Sequence, residues 1–331
     1  MINMLTKKKL MQLLGAGLLV VSLAACGDTE DEQAEPQQND QAGQETNDET
    51  ASERVLTDAM GHEVTIPANP ERVIASYLED NLVALGITPV AQWSVNDGAS
   101  IQGYLQGELE GVPTIPHDLP FEAVQQLSPD LIIMDSASMV EGGKYDQYNK
   151  IAPTYVIGTE VNNDWRDELL RVGEVFGKED EAKKVLEEYE TKAKEAKAQI
   201  ESAVGNPSAA AIWLVGGSFF VVSDTLSSGA VMYQDLGLEV PKVVQEISAS
   251  AESNWNAISL EKLVELDADY LFLINSDSES GSTALNEALW KNIPAVKAGN
   301  VFEFTPDESW LYTGAIANGQ IIDNIIKSIV K

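Results

Sequence analysis

The chain has 331 residues, with 53 acidic and 21 basic side chains and a formal net charge of −32 at pH 7. So strong a negative charge makes nucleic acid and anionic membrane surfaces poor electrostatic partners. Adaptation to a saline or alkaline habitat is an alternative explanation of this charge. The single cysteine, Cys26, excludes an intramolecular disulfide, so the fold depends on its hydrophobic core.

Residues 1–25 have the pattern of a secretory signal peptide. Lys7, Lys8 and Lys9 precede an uncharged apolar run that ends at Leu23 and is too short for a comfortable membrane span. The following Ala24-Ala25-Cys26 resembles a bacterial lipobox, in which Cys26 becomes the lipid-modified N-terminus. The alternative, a buried structural thiol, does not explain the apolar run.

Residues 26–53 are predicted to be a disordered tether. Positions 27–53 contain ten acidic side chains, no basic one and almost no large apolar group. Such a stretch cannot bury enough surface to offset its chain entropy, and like charges keep it extended. We therefore expect a lipid-anchored protein that stands off the extracellular side of the cell membrane.

From Arg54 onward, strands and helices alternate. Residues 70–93, PERVIASYLEDNLVALGITPVAQW, indicate a strand, a helix ended by Gly86 and a second strand. PDLIIMD and PTYVIG extend the pattern, so residues 54–177 are predicted to form an α/β lobe with a largely parallel sheet. Residues 206–331 repeat the alternation through SAAAIWLVGG, YLFLIN and NVFEF. The predicted fold is α/β, with two Rossmann-like lobes.

One long helix, residues 178–205, is predicted to connect the lobes. Apolar residues recur there at steps of three and four, and glycine and proline are absent before Gly205. A coiled-coil dimer is the alternative, but the stripe is rich in alanine and lacks a leucine seam, so a monomer is expected. A stiff connecting helix permits only small lobe motions.

A short unit occurs twice, once in each predicted lobe. FEAVQQLSPDLIIMD at 121–135 and LEKLVELDADYLFLI at 260–274 each combine an acidic helix start, a short amphipathic helix and a buried strand. The same order in both places indicates equivalent positions on two similar lobes.

The lipobox, the acidic tether, PERVIAS, the repeated unit, KIAPTYVI, the connecting helix and WKNIPAVKAGNVFEF together resemble the class III substrate-binding lipoproteins of iron-siderophore ABC importers. The resemblance covers essentially the whole chain after Cys26, and its specificity comes from the order of the motifs. It implies a receptor that captures a ferric siderophore between two lobes and delivers it to a membrane permease. It also implies that Glu122 and Glu261 dock on permease arginines. Both glutamates equally suit the positive end of a helix dipole.

The type of ligand follows partly from what the chain lacks. Its two histidines, His62 and His117, cannot form a three-histidine zinc cage, and nothing singles out an axial ligand for haem. A ferric siderophore brings its own metal ligands, so no metal site or cofactor of the protein is expected. Catecholate and citrate complexes are anionic and need several cations, yet the chain has four arginines, all before residue 172.

A neutral hydroxamate core is therefore preferred, and Glu79 and Asp80 would tolerate a free amine on such a ligand. Relatives that bind hydroxamates often have an arginine where this chain has Leu226-Ser227-Ser228-Gly229. Ferric citrate, catecholate siderophores, haem and cobalamin remain alternative ligands.

The ligand-binding residues are expected in the segments that follow the predicted strands, because ligands of open α/β sheets bind beyond the carboxyl ends of the strands. Flat aromatic faces with a polar edge suit an organic chelate, and a serine at a helix start can donate a hydrogen bond. The predicted set is Tyr77, Trp93, Trp213, Ser228, Trp255, Trp310 and Tyr312, of which at least three aromatic residues are expected to line the cleft. Trp165 and Trp290 are assigned to packing.

Catalysis is not predicted. Ser259 and Lys262 match the S-x-x-K pattern of serine acyl enzymes, but the companion K-T-G is absent, and Ser259 is better explained as a helix N-cap. No G-x-S-x-G motif or phosphate loop occurs either. A surface adhesin, the other alternative, does not explain two matched lobes.

Overall fold

The computed structural model describes residues 52–251, 253–280 and 283–330. They form two α/β lobes joined by one long helix, which confirms the predicted fold class. The predicted signal peptide, most of the predicted tether and Cys26 lie outside the described residues, so the fold does not address the predictions made for them.

The N-terminal lobe is built on parallel strands that are buried on both faces. Its strands are β1 (Arg54–Thr57), β2 (Glu63–Ile66), β3 (Val73–Ser76), β4 (Gln92–Ser94), β5 (Thr114–Pro116), β6 (Leu131–Ser136) and β7 (Thr154–Gly158). The central sheet has the parallel order β3-β6-β7, β4 pairs in parallel with β5, and β1 and β2 form a hairpin. Val73 to Ala75 and Leu131 to Met134 have almost no exposed surface, as expected for strands covered on both sides.

Short helices connect these strands. They are α1 (Glu79–Ala84), α2 (Gln106–Leu109), α3 (Phe121–Gln126), α4 (Lys144–Tyr148) and α5 (Trp165–Phe176). Asp164 caps α5 by accepting a hydrogen bond from the backbone N–H of Arg166, and Gly177 ends that helix with φ +63°.

The C-terminal lobe has a mixed five-stranded sheet of order β10-β9-β8-β11-β12. Its strands are β8 (Ala209–Val215), β9 (Ser218–Val222), β10 (Trp255–Ile258), β11 (Tyr270–Asn275) and β12 (Val301–Phe304). The pairs β8-β11 and β11-β12 are parallel, whereas β9 pairs antiparallel with both β8 and β10. The prediction of a mostly parallel sheet therefore fits the N-terminal lobe better than this one.

The helices of the C-terminal lobe are α7 (Ser227–Ala230), α8 (Lys242–Ser248), α9 (Leu260–Leu263), α10 (Pro294–Ala298) and α11 (Ala315–Ile329), and the connecting helix α6 extends over Glu179–Val204. Ala182, Tyr189, Ala193, Ala196 and Ile200 form the buried stripe of α6. This stripe packs against α5 from one lobe and α11 from the other. One hydrophobic cluster consequently continues from lobe to lobe alongside α6.

The repeated unit has the same structure in both lobes. In the first copy α3 precedes the buried strand β6, and in the second α9 precedes the buried strand β11. Ser259 is the N-cap of α9 and accepts a hydrogen bond from the backbone N–H of Lys262 at 3.3 Å, as predicted.

Candidate functional site

A cavity of about 230 Å³ lies between the lobes, beyond the ends of several strands. From the N-terminal lobe it is lined by Tyr77, which follows β3, by Asp135 near the end of β6, and by the loop and helix that follow β7. From the C-terminal lobe it is lined by the segments around Leu226 and Tyr312. This is the edge at which open α/β sheets bind ligands.

Of the predicted aromatic residues, Tyr77 and Tyr312 line this cavity, and Trp165, which was assigned to packing, lines it as well. Tyr77 is 38% exposed and lies edge-on to Trp93, with 5.0 Å between the two ring centroids. The centroid of the Tyr77 ring is 6.2 Å from that of Tyr312. The Tyr312 hydroxyl donates a hydrogen bond of 3.1 Å to the carbonyl of Ile101, which crosses from one lobe to the other. Trp93 contacts the Tyr77 ring without lining the cavity itself.

Trp213 and Trp255 form a second aromatic group on the sheet of the C-terminal lobe. Their rings are 6.1 Å apart, Phe220 packs on Trp213 at 5.5 Å, and both indoles are half-buried. The Trp213 Nε1 donates to the hydroxyl of Ser276 at 2.8 Å. Trp255 begins β10 instead of lying in a loop as predicted, and neither indole lines the cavity, although the adjacent Asn254 does.

Two of the predicted cleft residues are buried in the C-terminal lobe, which corrects the prediction. Trp310 has no exposed surface and packs between Phe272 and Phe304, at centroid distances of 5.0 and 4.8 Å. Ser228 is also fully buried, because α7 turns its side chain inward and presents Ser227 to the cavity instead. The other predicted ligand residues stay predictions. Trp290 is buried against Phe219, as expected for packing.

Glu79 and Asp80 do not face a ligand either. Glu79 is 1% exposed, and its Oε1 accepts a hydrogen bond of 2.6 Å from the backbone N–H of Trp93. Asp80 is 3% exposed and accepts hydrogen bonds from the backbone N–H groups of Ile316 and Ala317, at 3.1 and 2.9 Å. The Asp80 carboxylate thus caps the first turn of α11 in the opposite lobe. The expectation that this pair tolerates a ligand amine is wrong.

Burial raises the pKa of both carboxyl groups. The pKa of Glu79 is raised to about 7, because burial outweighs the hydrogen bond from the N–H of Trp93. The pKa of Asp80 is raised to about 6, because burial outweighs its backbone hydrogen bonds and the hydroxyl of Tyr104. Both groups therefore change charge within the ordinary working range of pH.

Other acidic side chains do reach the cavity. Asp135, Asp164 and Glu168 line it, and Arg166 is the one cationic side chain among the described residues that line it. The guanidinium of Arg166 already contacts Glu190 at 2.6 Å and Asp235 at 2.9 Å. Burial, followed by the charge of Asp135, raises the pKa of Glu168 to about 8. The cavity consequently favours a neutral or cationic ligand.

The sequence carried a signal for Asp135 that the prediction did not use. This residue closes the quoted strand PDLIIMD, and a carboxylate at the carboxyl end of a buried strand points to the ligand edge of the sheet. Glu168 lies in a helix with several other acids, and only its packing beside Asn81 and Asn163 distinguishes it. Among the described residues, no group of three or more histidine, cysteine or acidic side chains is arranged to hold a metal ion.

Comparison with known proteins agrees with this geometry. Residues 82–308 match the family described as periplasmic binding protein. This chain belongs to the periplasmic binding protein family. Two relatives from Bacillus subtilis (strain 168) align over nearly their whole length. The iron(3+)-hydroxamate-binding protein FhuD is 29% identical and aligns over 98% of each chain. The probable siderophore-binding lipoprotein YfiY is 27% identical, covering 96% of this chain and 97% of its own.

A solved structure supports the same fold for this periplasmic binding protein. It is a FhuD-fold component of a ferrichrome ABC transporter from Bacillus subtilis, 28% identical, with a TM-score of 0.70. The alignment covers 83% of this chain and 100% of that chain. Members of this family are binding proteins. The described part of the chain contains no helix long and apolar enough to cross a bilayer.

The two glutamates predicted to dock on a permease are exposed in this periplasmic binding protein. Glu122 lies in the first turn of α3 and Glu261 in the first turn of α9. They occupy equivalent positions in the two copies of the repeated unit, one in each lobe. Their role in docking stays a prediction.

Proposed function

We propose that this protein is the extracellular receptor of an ABC importer and that it binds a ferric siderophore of the hydroxamate type between its lobes. The supporting observation is a cavity at the ends of the strands that combines aromatic rings with acidic side chains, while its one cation is already paired. An iron(III) tris-hydroxamate core is neutral and needs no compensating cation. The name of FhuD supports a hydroxamate ligand, and the name of YfiY supports a siderophore.

Anionic chelates are the first alternative. A catecholate or citrate complex would place its negative charge beside Asp135, Asp164 and Glu168, at a cost that Arg166 cannot offset without losing Glu190 and Asp235. Haem has a large apolar face, which suits the polar and acidic lining of this cavity poorly. An acyl-transfer enzyme is disfavoured because Ser259, the candidate nucleophile, is occupied as the N-cap of α9.

The proposed location follows from the sequence. After removal of residues 1–25, a lipid on Cys26 would hold the protein at the cell membrane, and residues 26–53 would serve as the tether. Residues 54–177 and 206–331 would act as the two ligand-binding lobes, with residues 178–205 as their rigid connection. In this arrangement a monomer presents Glu122 and Glu261 to arginines of the permease.

The ligand assignment is tested by fluorescence quenching with ferric hydroxamates, ferric catecholates and ferric citrate. Trp93 and Trp165 lie at or beside the cavity, so a bound iron chelate should quench them. We expect quenching by at least one hydroxamate at sub-micromolar concentration. Quenching at that concentration by a catecholate or citrate complex alone would show that the charge argument is wrong.

The docking assignment is tested by reversing charge at both positions, with Glu122→Lys and Glu261→Lys together. Binding of the ferric chelate should remain, whereas uptake of iron-55 by cells should stop. The matched control is the double variant of two other exposed glutamates, Glu110→Lys and Glu287→Lys, which changes the net charge equally and should leave uptake intact. Normal uptake by the first variant, or loss of chelate binding in it, would contradict the assignment.

A further inference from the structure

The cavity has acidic side chains that no cation of the described residues neutralises. Asp135 and Glu168 are half-buried, and the charged lining residues all belong to the N-terminal lobe among those that the structure describes. Arg166 forms ion pairs with Glu190 and Asp235. Neither Asp135 nor Glu168 therefore has a cationic partner among the described residues. The charge of Asp135 raises the pKa of Glu168, so the two carboxyl groups interact, and two interacting carboxylates in a partly buried site require a cation or a proton.

Asn81 provides an independent indication of a missing partner. Its side chain is 3% exposed and lines the same cavity, and its Oδ1 has no hydrogen-bond donor among the described residues. The Asn81 side chain lies near Glu168 and lowers the pKa of that carboxyl group, against the larger effect of burial. A buried amide oxygen without a donor is rare in folded proteins, so its position near Glu168, in the lining of the same cavity, points to a ligand that donates hydrogen bonds.

We propose that Asn81, Asp135 and Glu168 form a subsite for a ligand ammonium group, so that the receptor selects ferric hydroxamates that carry a pendant primary amine. This inference rests on the proposed function and deepens it. An ammonium group has three N–H donors and one positive charge, which match an amide oxygen and two carboxylates. A bare divalent ion fits less well, because it needs six or more oxygen ligands in a defined geometry.

The surrounding hydrogen bonds hold the subsite in place. The hydroxyl of Ser76 donates to Asp135 Oδ1 at 2.6 Å, which fixes that carboxylate at the end of β6. Asn163 Nδ2 donates to the backbone carbonyl of Asp135 at 3.0 Å and reaches Glu168 Oε1 at 3.4 Å. These contacts orient the two acids without neutralising them. A preorganised pair of this kind binds a cation without the entropy cost of ordering its side chains.

The pKa of Glu168 gives the subsite a second measurable property. Burial and the charge of Asp135 raise this pKa to about 8, so Glu168 is largely protonated at pH 7 in the free protein. A bound ammonium favours the ionised form and lowers this pKa. Affinity for an amine-bearing chelate should therefore increase from pH 6 to pH 8.5. The affinity should still increase with pH when the other charged groups that face the site are considered, namely Asp135, Asp164 and the paired Arg166.

The test compares two chelates that differ in one group. Iron(III) desferrioxamine B carries a terminal ammonium, and its N-acetyl derivative has the same iron core but no charge on that arm. Dissociation constants are measured by tryptophan quenching and confirmed by equilibrium dialysis with iron-55. We expect the wild-type protein to prefer the free amine by at least about tenfold, the usual contribution of a hydrogen bond to a charged group.

Glu168→Gln and Asp135→Asn should each remove most of that preference, measured as the ratio of the dissociation constants for the acetylated and the free-amine chelate. Asp167→Asn is the matched control, since Asp167 is an exposed neighbour on α5 that does not line the cavity. It removes the same charge and should keep the preference. Loss of the preference in Asp167→Asn as well would indicate long-range attraction by the acidic protein, and it would overturn the subsite.

The outcomes separate this inference from the proposed function. Equal affinity of the wild-type protein for both chelates overturns the subsite and leaves the receptor assignment intact. Binding of neither chelate overturns both. If a variant does not fold, as judged by circular dichroism, the pH dependence of the wild-type protein decides. An affinity for the free amine that rises with pH, beside a flat profile for the acetylated chelate, supports the subsite, and parallel profiles refute it.

Discussion

Replacing Glu79 with glutamine should stabilise the folded protein at pH 8. Glu79 is 1% exposed, and burial raises the pKa of its carboxyl group from 4.5 to about 7. A group whose pKa is raised on folding contributes stability that is fully present below its unfolded pKa and lost as the pH rises through its folded pKa. For Glu79 this window runs from about 4.5 to about 7. Above it, the wild-type protein keeps a poorly solvated charge that glutamine does not have.

The magnitude follows from the two pKa values. At about 1.36 kcal/mol for each unit of pKa, the difference between 4.5 and about 7 corresponds to about 3 kcal/mol at pH 8. Glutamine keeps an acceptor for the backbone N–H of Trp93, now without charge, so part of this gain is lost. It also adds an N–H₂ group near Gln102, whose Oε1 lacks a donor among the described residues. We expect a net stabilisation of about 1–3 kcal/mol at pH 8.

The assay is urea denaturation followed by circular dichroism at pH 5 and pH 8, for the wild-type protein and Glu79→Gln. The wild-type free energy of unfolding should fall between these pH values more steeply than that of the variant. Glu110→Gln, which removes a charge from an exposed position, is the control and should change neither stability nor slope. If Glu79→Gln is no more stable than the wild-type protein at pH 8 and has the same pH slope, Glu79 is not a buried acid with a raised pKa.

Three further variants test the packing between and within the lobes by the same denaturation assay. Gly314→Ala should cost about 2 kcal/mol or more, because Gly314 has φ +137° and an added Cβ would overlap the Asp80 carboxylate. Gly107→Ala is the control, because a Cβ at Gly107 would meet no atom within 4 Å and the φ of Gly107 is ordinary. A comparable loss of stability in that variant would refute the steric explanation. Trp310→Ala should cost about 3–5 kcal/mol as a core truncation, and a loss below about 1 kcal/mol would contradict its burial. Arg166→Met should cost about 1–3 kcal/mol because it leaves two carboxylates without their cation, and an unchanged midpoint would show that this ion pair is not stabilising.

The alternation of strands and helices was predictable because each buried strand is a short apolar run bounded by turn residues. β6, β7, β8, β11 and β12 all coincide with runs quoted from the sequence. β10 was not predicted, because the polar segment SNWNAIS lacks an apolar run and becomes a strand only by pairing with β9. Local sequence reports local preference, whereas this strand depends on a partner that is distant in the chain.

The orientation of individual side chains was harder to predict than the elements that carry them. Trp310 and Tyr312 are two residues apart, yet the first is sealed in the C-terminal lobe and the second lines the cavity. Asp80 likewise begins a helix beside a predicted ligand loop, but α11 of the other lobe takes up its carboxylate. Contacts between lobes decide both cases, and a sequence pattern of strands and helices contains no information about them.

The same contacts between lobes limit how a ligand can enter. Asp80 bonds to α11, Tyr312 bonds to the carbonyl of Ile101, and Arg166 bonds to Asp235 and to α6, so three polar links supplement the hydrophobic cluster beside α6. Wide separation of the lobes would break all of them together and expose their buried polar groups, at a cost that adds for each link. A chelate too large for the cavity must therefore leave part of its surface outside it. Under the proposed subsite, discrimination between chelates depends on the group that reaches Asp135 and Glu168, and the exposed remainder is free to vary.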